Sequence, residues 1–290
     1  MFPATFDYQA PTTLSEALKL LGQSGDGDVK ALAGGQSLLP LMKLRLAQPA
    51  ALVDLRNVPE LRGIREDGEG VILGAMTTYF QAVDSPIVQR KTPLIVEALR
   101  QVGDPQVRAR GTIGGSLAHA DPAGDLPAVA RALNARLHAV GPQGERDISA
   151  HDFFVDMLTT ALEPNELLAW VRFDSTDKPH TGTAYVKHRH PASGYAVVGV
   201  AAVVTLDDQG NCTDAHVAIT GAGSHATRAT AVEQALLGKP FTASVAEASA
   251  HAAQGLDLLS DAYASAEYRG HLTRVLTLRA LDRAANRAHG

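Results

Sequence analysis

The sequence of 290 residues contains a single cysteine, Cys212. One cysteine excludes an internal disulfide, a zinc site made of thiolates and an iron–sulfur cluster held by this chain alone. Aromatic residues make up only 5% of the chain. The longest apolar run, residues 196–205, is far shorter than the ~20 residues that span a bilayer. If this chain handles electrons, cysteine-ligated clusters must therefore belong to another polypeptide.

Excess charge of either sign is also lacking, since 26 Lys and Arg residues against 31 Asp and Glu residues give a formal net charge of −5. The basic residues are scattered, which argues against nucleic acid or an anionic membrane surface as a partner. The first residues, 1–7, show neither the positive segment nor the apolar run of a signal peptide, so we expect a cytoplasmic protein. An apolar content of 45% suits a sizeable core in one large domain or two.

Apolar periodicity and turn residues predict an α+β chain in two domains, with a boundary near residue 177. In residues 1–177, with subdomains of about 1–57 and 58–177, we expect helices over 14–22, 38–46, 94–102 and 125–135, a polar turn from Gly25 to Asp28, and strands over 29–33, 51–55, 61–65, 70–74, 136–140 and 167–173. In residues 178–290 we expect three antiparallel strands over 184–188, 195–206 and 215–220, then helices over 228–237, 244–258 and 266–287.

A first glycine pair follows the buried strand predicted over residues 29–33. Gly34 and Gly35 allow a turn with positive φ and bring N–H groups close to an anion without a Cβ in the way. Ser37 adds a hydroxyl where the next helix begins, and an anion there would meet free amides at a positive helix end. This segment therefore has the features of a phosphate cradle.

A second glycine segment, residues 110–116, is followed by Asp121-Pro122 and Gly124-Asp125. Two separate glycine pairs are more than one mononucleotide needs. A ligand with a diphosphate and a second flat ring system would use both, with one loop at the pyrophosphate and the other at the linker and ring. His119 and Asp121 are only two potential metal ligands on one loop, so we expect polar lining there rather than a metal site.

These two motifs, AGGQSLLPLMKLR and RGTIGGSLAHADPAGDLPA, are very similar to those of the medium, FAD-binding subunit of the molybdenum hydroxylases, the family of carbon monoxide dehydrogenase, xanthine dehydrogenase and nicotine dehydrogenase. The resemblance covers essentially the whole chain. It implies a FAD-binding domain of the PCMH type, with flavin in the cleft between two subdomains, followed by a domain of a three-stranded antiparallel sheet and a helical bundle.

The resemblance also implies a set of cofactor-binding residues, with no catalytic residue and no metal ligand in this chain. Residues 31–38 would bind the pyrophosphate, and Asp125 would accept hydrogen bonds from ribityl hydroxyls, because a carboxylate repels phosphate. Lys187 and Tyr195 correspond to a segment that borders the isoalloxazine, although a solvated strand end and a core aromatic are alternative readings. The expected set is Ala31, Leu32, Ala33, Gly34, Gly35, Gln36, Ser37, Leu38, Val102, Gly111, Thr112, Ile113, Gly114, Gly115, Ser116, Asp121, Asp125, Leu168, Lys187 and Tyr195.

The function that the resemblance implies is that of a flavoprotein oxidoreductase subunit. Electrons would pass from 2Fe-2S clusters of a small partner through FAD to an external acceptor, while a large partner hydroxylates the substrate at a molybdenum cofactor, in a heterotrimer or its dimer. Two alternatives stay open: a self-sufficient flavin oxidoreductase of the same fold, and a docking subunit without flavin. A glycine-rich segment at 221–226 is not followed by a second parallel strand, so we expect no nicotinamide site there.

Overall fold

The computed structural model describes residues 2–23 and 29–289, so the turn predicted from Gly25 to Asp28 lies outside the described residues. The first subdomain contains β1 (Asp7–Gln9), α1 (Leu14–Leu21), β2 (Val29–Leu32), α2 (Leu38–Lys43) and β3 (Ala51–Asp54). Its three strands are parallel in the order β1-β3-β2. Thr13 caps α1 by accepting a hydrogen bond from the Glu16 N–H.

The second subdomain is a mixed unit of strands and short helices. Its elements are β4 (Ile64–Asp67), β5 (Gly70–Gly74), α3 (Tyr79–Asp84), α4 (Pro86–Lys91), α5 (Pro93–Arg100), α6 (Pro105–Arg110), α7 (Ile113–His119), α8 (Asp125–Ala132), β6 (Arg136–Gly141), β7 (Gly144–Ser149), α9 (Ala150–Phe153), β8 (Phe154–Asp156), β9 (Thr159–Thr160) and β10 (Leu167–Asp174). An antiparallel sheet in the order β4-β5-β10-β6-β7 forms its base, and β8 pairs separately with β9. The buried helices α5 and α8 are packed against each other.

The remaining residues form an antiparallel sheet covered by helices. They contain β11 (Thr181–Arg189), β12 (Ala196–Leu206), β13 (Cys212–Thr220), β14 (Thr227–Arg228), α10 (Thr230–Leu236), α11 (Phe241–Ala250) and α12 (Ala266–Ala288). Helix α12 packs on β11 and β12. On the other side, Tyr185, Ala201 and Ala218 belong to the same core as α5 and α8. One face of this sheet thus packs against the second subdomain, and this contact positions the site described below.

The mixed α+β architecture predicted from the sequence is confirmed, with differences in detail. The last sheet has four strands because the two-residue strand β14 pairs with β13. Helices α4 and α6 were not predicted, although Ser85 and Asp104 cap them and a proline follows each cap. The second glycine segment is largely helical, since Gly114 and Gly115 lie in the first turn of α7. Within residues 2–23 and 29–289, no helix combines the length and apolar character needed to cross a membrane.

Candidate functional site

A cavity of about 670 Å³ lies where the loop after β2, the start of α7, the start of α8 and the β11–β12 hairpin come together. Its volume falls within the range of about 300–1,000 Å³ that is usual for cofactor sites. The structure brings most of the predicted site residues to its wall: Ala31, Leu32, Ala33, Gly34, Gly35, Gln36, Ser37, Leu38, Val102, Gly111, Thr112, Gly114, Gly115, Ser116, Asp121, Asp125, Leu168 and Tyr195. Ile113 and Lys187 are not among the residues that line it.

The loop between β2 and α2 presents unused backbone donors to the cavity. In the described part of the chain, the N–H groups of residues 34–38 donate no hydrogen bond to another protein group. Ser37 stands at the N-cap of α2, yet its side chain makes no capping hydrogen bond. Such a run of free donors binds an anion well, because each N–H carries a partial positive charge and none must break an existing bond.

Both glycines of this loop are required by its geometry. Gly35 has a φ of +78°, which side-chain-bearing residues rarely adopt. A Cβ on Gly34 would lie 2.3 Å from the carbonyl oxygen of Arg110 and 2.9 Å from the Cα of Gly111. Gly34 therefore lets the first loop touch the backbone of the second glycine segment. Packing alone explains why residue 34 is glycine. Only the free N–H groups of this loop therefore indicate an anion site.

The second glycine segment differs from the first because its amides are already used. The N–H groups of Ile113 and Gly114 donate to Thr77 and Ala75, and the N–H of Gly115 donates to the Thr112 hydroxyl at 3.1 Å. Thr112 is thus the N-cap of α7. A Cβ on Gly114 would lie 2.4 Å from that of Ala75, so α7 packs directly on the end of β5. This segment therefore contributes mainly side chains to the cavity wall, because few of its backbone N–H groups are free.

Asp125 is the first residue of α8, and its side chain is only 7% exposed. Its carboxyl group accepts hydrogen bonds from the Lys187 ammonium at 2.8 and 3.0 Å and from the Tyr185 hydroxyl. Burial raises the pKa of the Asp125 carboxyl above its ordinary value, and Lys187 opposes that rise. Asp125 is thus a buried acidic group of the cavity wall that two residues of β11 hold in place.

The hairpin between β11 and β12 brings Ser193, Gly194 and Tyr195 to the cavity wall. Tyr195 remains 43% exposed, and partial burial raises the pKa of its phenol, while the Ser37 hydroxyl opposes that rise. Tyr195 is therefore a partly exposed aromatic of the cavity wall, close to Ser37 of the first loop. Lys187, whose segment we expect to border the ring system, is 1% exposed and paired with Asp125, and its place beside the ring system stays a prediction.

Sequence reasoning missed several wall residues. Tyr79 lies against Gly111, and burial raises the pKa of its phenol to about 12, with the Ser116 hydroxyl partly offsetting the rise. Glu166 lines the cavity while its carboxylate accepts two hydrogen bonds of 2.7 Å from Arg146. No local motif marks these residues. His119 and Asp121 also line the cavity, with 3.9 Å between the His119 Nε2 and an Asp121 carboxylate oxygen.

Comparison with known proteins places this geometry in a family. The model described as "FAD binding domain in molybdopterin dehydrogenase" matches residues 4–173, and the model described as "CO dehydrogenase flavoprotein C-terminal domain" matches residues 183–284. The chain belongs to the FAD-binding subunits of the molybdenum hydroxylases. It is thus a subunit of an oxidoreductase, and the free donors of residues 34–38 fit the pyrophosphate of the cofactor that defines the family.

Individual members of this flavoprotein family match over nearly their whole length. The carbon monoxide dehydrogenase medium chain of Hydrogenophaga pseudoflava is 42% identical over 98% of both chains. Subunit alpha of the 6-hydroxypseudooxynicotine dehydrogenase complex of Paenarthrobacter nicotinovorans is 39% identical over 99% of this chain and 97% of its own. A solved structure of the Hydrogenophaga pseudoflava enzyme, in a form that lacks the Mo-pyranopterin moiety of the molybdenum cofactor, superposes with a TM-score of 0.95 over 99% of both chains.

Proposed function

We propose that this chain relays electrons, taking them from an iron–sulfur partner subunit and passing them through FAD to an external acceptor. The observation that carries the proposal is that residues 34–38, whose N–H groups are unused, line a cavity of cofactor size. The chain has only Cys212, which is buried, so a cluster that feeds this site must be held by another polypeptide. When bound, FAD supplies a centre that accepts and releases electrons.

Different residues of the cavity wall would bind different parts of FAD. The N–H groups of residues 34–38 would hold the pyrophosphate, because they are donors and the cavity wall contains only one Lys or Arg side chain, that of Lys30, among the described residues. Thr112 and Ser116 would offer hydroxyls, and Asp125 would accept from ribityl hydroxyls. Tyr195 would cover the ring system and control access to it.

The ionisable groups of the wall argue against a self-sufficient oxidoreductase. Asp125 is engaged by Lys187 and Tyr185, and Glu166 is engaged by Arg146. One oxygen of Asp121 accepts from the Ala123 N–H at 2.9 Å. A general base must reach its substrate with a free lone pair, and the ion pairs of Asp125 and Glu166 disfavour that role for these two carboxyl groups. This arrangement suits a relay, in which the protein positions the cofactor and controls access to it.

The partners follow from the family and from the names of its members. We propose a large subunit with the molybdenum cofactor and a small subunit with 2Fe-2S clusters, assembled with this chain as a heterotrimer or its dimer. The two relatives named above are 42% and 39% identical to this chain, yet their names specify two different substrates, carbon monoxide and 6-hydroxypseudooxynicotine. Similarity in this subunit therefore does not indicate the substrate of the complex.

The test begins with the purified chain. Its absorption spectrum, followed by denaturation and chromatography of what is released, should give about one FAD per chain. The relay is then tested on the co-purified complex: after reduction with dithionite and removal of excess reductant, an external acceptor such as a quinone analogue should reoxidise flavin and clusters together. A complex stripped of FAD should keep its clusters reduced under the same conditions. If clusters reoxidise equally fast without FAD, the relay through this chain is refuted.

A further inference from the structure

Lys187 forms an unusually complete set of buried contacts. It lies on β11, its side chain is 1% exposed, and its ammonium donates to both Asp125 oxygens at 3.0 and 2.8 Å and to the Gly194 carbonyl at 3.0 Å. A lysine ammonium has three hydrogen-bond donors. These protein acceptors therefore account for its bonding capacity, and none is left for a ligand in the cavity.

The two groups that Lys187 joins belong to different walls of the cavity. Asp125 begins α8, in the part of the chain that carries both glycine segments, while Gly194 precedes Tyr195 in the β11–β12 hairpin. A second residue of β11, Tyr185, donates to the same Asp125 carboxyl. Through the Lys187 ammonium, β11 thus holds the start of α8 by an ion pair and the tip of its own hairpin by a hydrogen bond.

The hairpin tip has few other fixed points. The His190 N–H donates to the Tyr195 carbonyl at 2.8 Å, and the Gly194 N–H donates to the His190 carbonyl at 2.9 Å. The His190 ring accepts from the N–H groups of Ala192 and Ser193 at 3.3 Å. All of these bonds lie within the hairpin. The bond from Lys187 to Gly194 ties the tip itself to the Asp125 wall, while at the foot of the hairpin the Ala196 N–H donates a longer bond of 3.3 Å to the Ala123 carbonyl.

The cost of burying this ion pair gives a reason to look for a role other than stability. Removing two charges from water is expensive, and well-packed apolar residues often stabilise a fold as well as a buried ion pair does. We infer that Lys187 is a positioning residue for FAD, which sets the Asp125 carboxyl and the Tyr195 hairpin at their places in the cavity wall and makes no contact with the cofactor itself. This inference rests on the proposed binding of FAD.

A double-mutant cycle on the flavin-free chain tests the inference, with FAD affinity measured by fluorescence titration. Lys187→Met and Asp125→Asn should each weaken FAD binding about tenfold, the loss of one good hydrogen bond. The double variant should bind FAD within about threefold of Asp125→Asn alone, because Lys187 acts mainly through Asp125. Effects that multiply to about a hundredfold would show that Lys187 acts independently of Asp125, and would overturn the inference.

The pH dependence of FAD affinity distinguishes a positioning role of Lys187 from a general loss of structure. Without its ammonium partner, Asp125 should have a still higher pKa. The loss of FAD affinity in Lys187→Met should therefore shrink as the pH rises through that value, because the carboxyl group becomes ionised again. The double variant, with no carboxyl group at this position, should show a deficit independent of pH. The titratable groups that act on Asp125 in both cases are Tyr79, Tyr185, Arg189 and Tyr195. A deficit of Lys187→Met that is constant with pH would contradict the inference.

Controls distinguish this inference from the proposal on which it rests. Lys178→Met removes a surface lysine that pairs with Glu69 at 3.5 Å, and it should leave FAD affinity unchanged. Circular dichroism checks that each variant is folded, and the double variant avoids leaving either charge buried alone. A wild-type chain that takes up no FAD would sink the proposed function, and the inference with it. Wild-type binding with unaltered affinity in Lys187→Met would refute the inference alone.

Discussion

Gly34→Ala is the substitution that most directly tests the contact between the two glycine segments. Its Cβ would lie 2.3 Å from the Arg110 carbonyl oxygen, and real Cβ atoms essentially never come closer than 3.0 Å to such an atom. Because the obstructing group is backbone, the loop after β2 must move away from the end of α6. Overpacking of this kind costs about 1–3 kcal/mol. We expect the free energy of unfolding to fall by that amount and the thermal midpoint by about 2–4 °C per kcal/mol.

The same displacement should weaken FAD binding, because the free N–H groups of residues 34–38 lie on the loop that moves. A loss of about tenfold corresponds to 1.4 kcal/mol. Fluorescence titration with FAD and thermal unfolding of the flavin-free chain measure the two effects separately. Gly22→Ala is the matched control, since its Cβ would make only ordinary contacts of 3.5 and 3.7 Å. Wild-type affinity and midpoint in Gly34→Ala would refute the reasoning.

Two further substitutions test electrostatics and packing. Arg146 lowers the pKa of Glu166, so their pair stabilises the fold above the ordinary carboxyl pKa, and that contribution is lost as the pH falls through the lowered value. In urea unfolding, Glu166→Gln should cost roughly 0.5–1 kcal/mol at neutral pH and little in acid, whereas a cost that persists in acid would contradict this. In Gly182→Ala, the Cβ would lie 1.9 Å from the Ala284 carbonyl oxygen, and we expect a loss of at least about 1–3 kcal/mol. An unchanged unfolding midpoint would contradict this, because it would show that α12 can move away from the added methyl group at little cost in free energy.

Much of the fold was predictable because several elements carry their own local signals. Thr13 and Glu16 mark the start of α1, and the apolar run at residues 196–206 is long enough to specify β12. The helical character of residues 113–119 was not predictable in the same way. Two adjacent glycines destabilise a helix by about 1 kcal/mol each relative to alanine, so this sequence pattern predicts a loop. Close packing of Gly114 on Ala75 outweighs that cost, and no local pattern reveals it.

The candidate site shows the same division between local and distant information. The loop of residues 34–38 was found from its glycines, and the structure supports it on other grounds, the unused N–H groups. The placement of Lys187 beside the ring system was inferred from a resemblance of sequence segments alone. Whether a lysine on a strand points into a cavity or toward a carboxyl group depends on residues far away, here Asp125. Tyr79 and Glu166 were missed for the same reason.

The predicted boundary near residue 177 has a consequence for the cavity, because the residues on either side of it are not independent in the site. Asp125 lies before the boundary, while Lys187 and Tyr185, which hold its carboxyl group, lie after it. The Thr220 hydroxyl also donates at 2.8 Å to the carbonyls of Pro122 and Gly124, in the turn that leads to Asp125. Residues 1–177 alone would contain both glycine segments and leave a buried carboxyl without its partners. Residues after the predicted boundary would therefore be part of the proposed cofactor site, because they fix the position of Asp125 in the cavity wall.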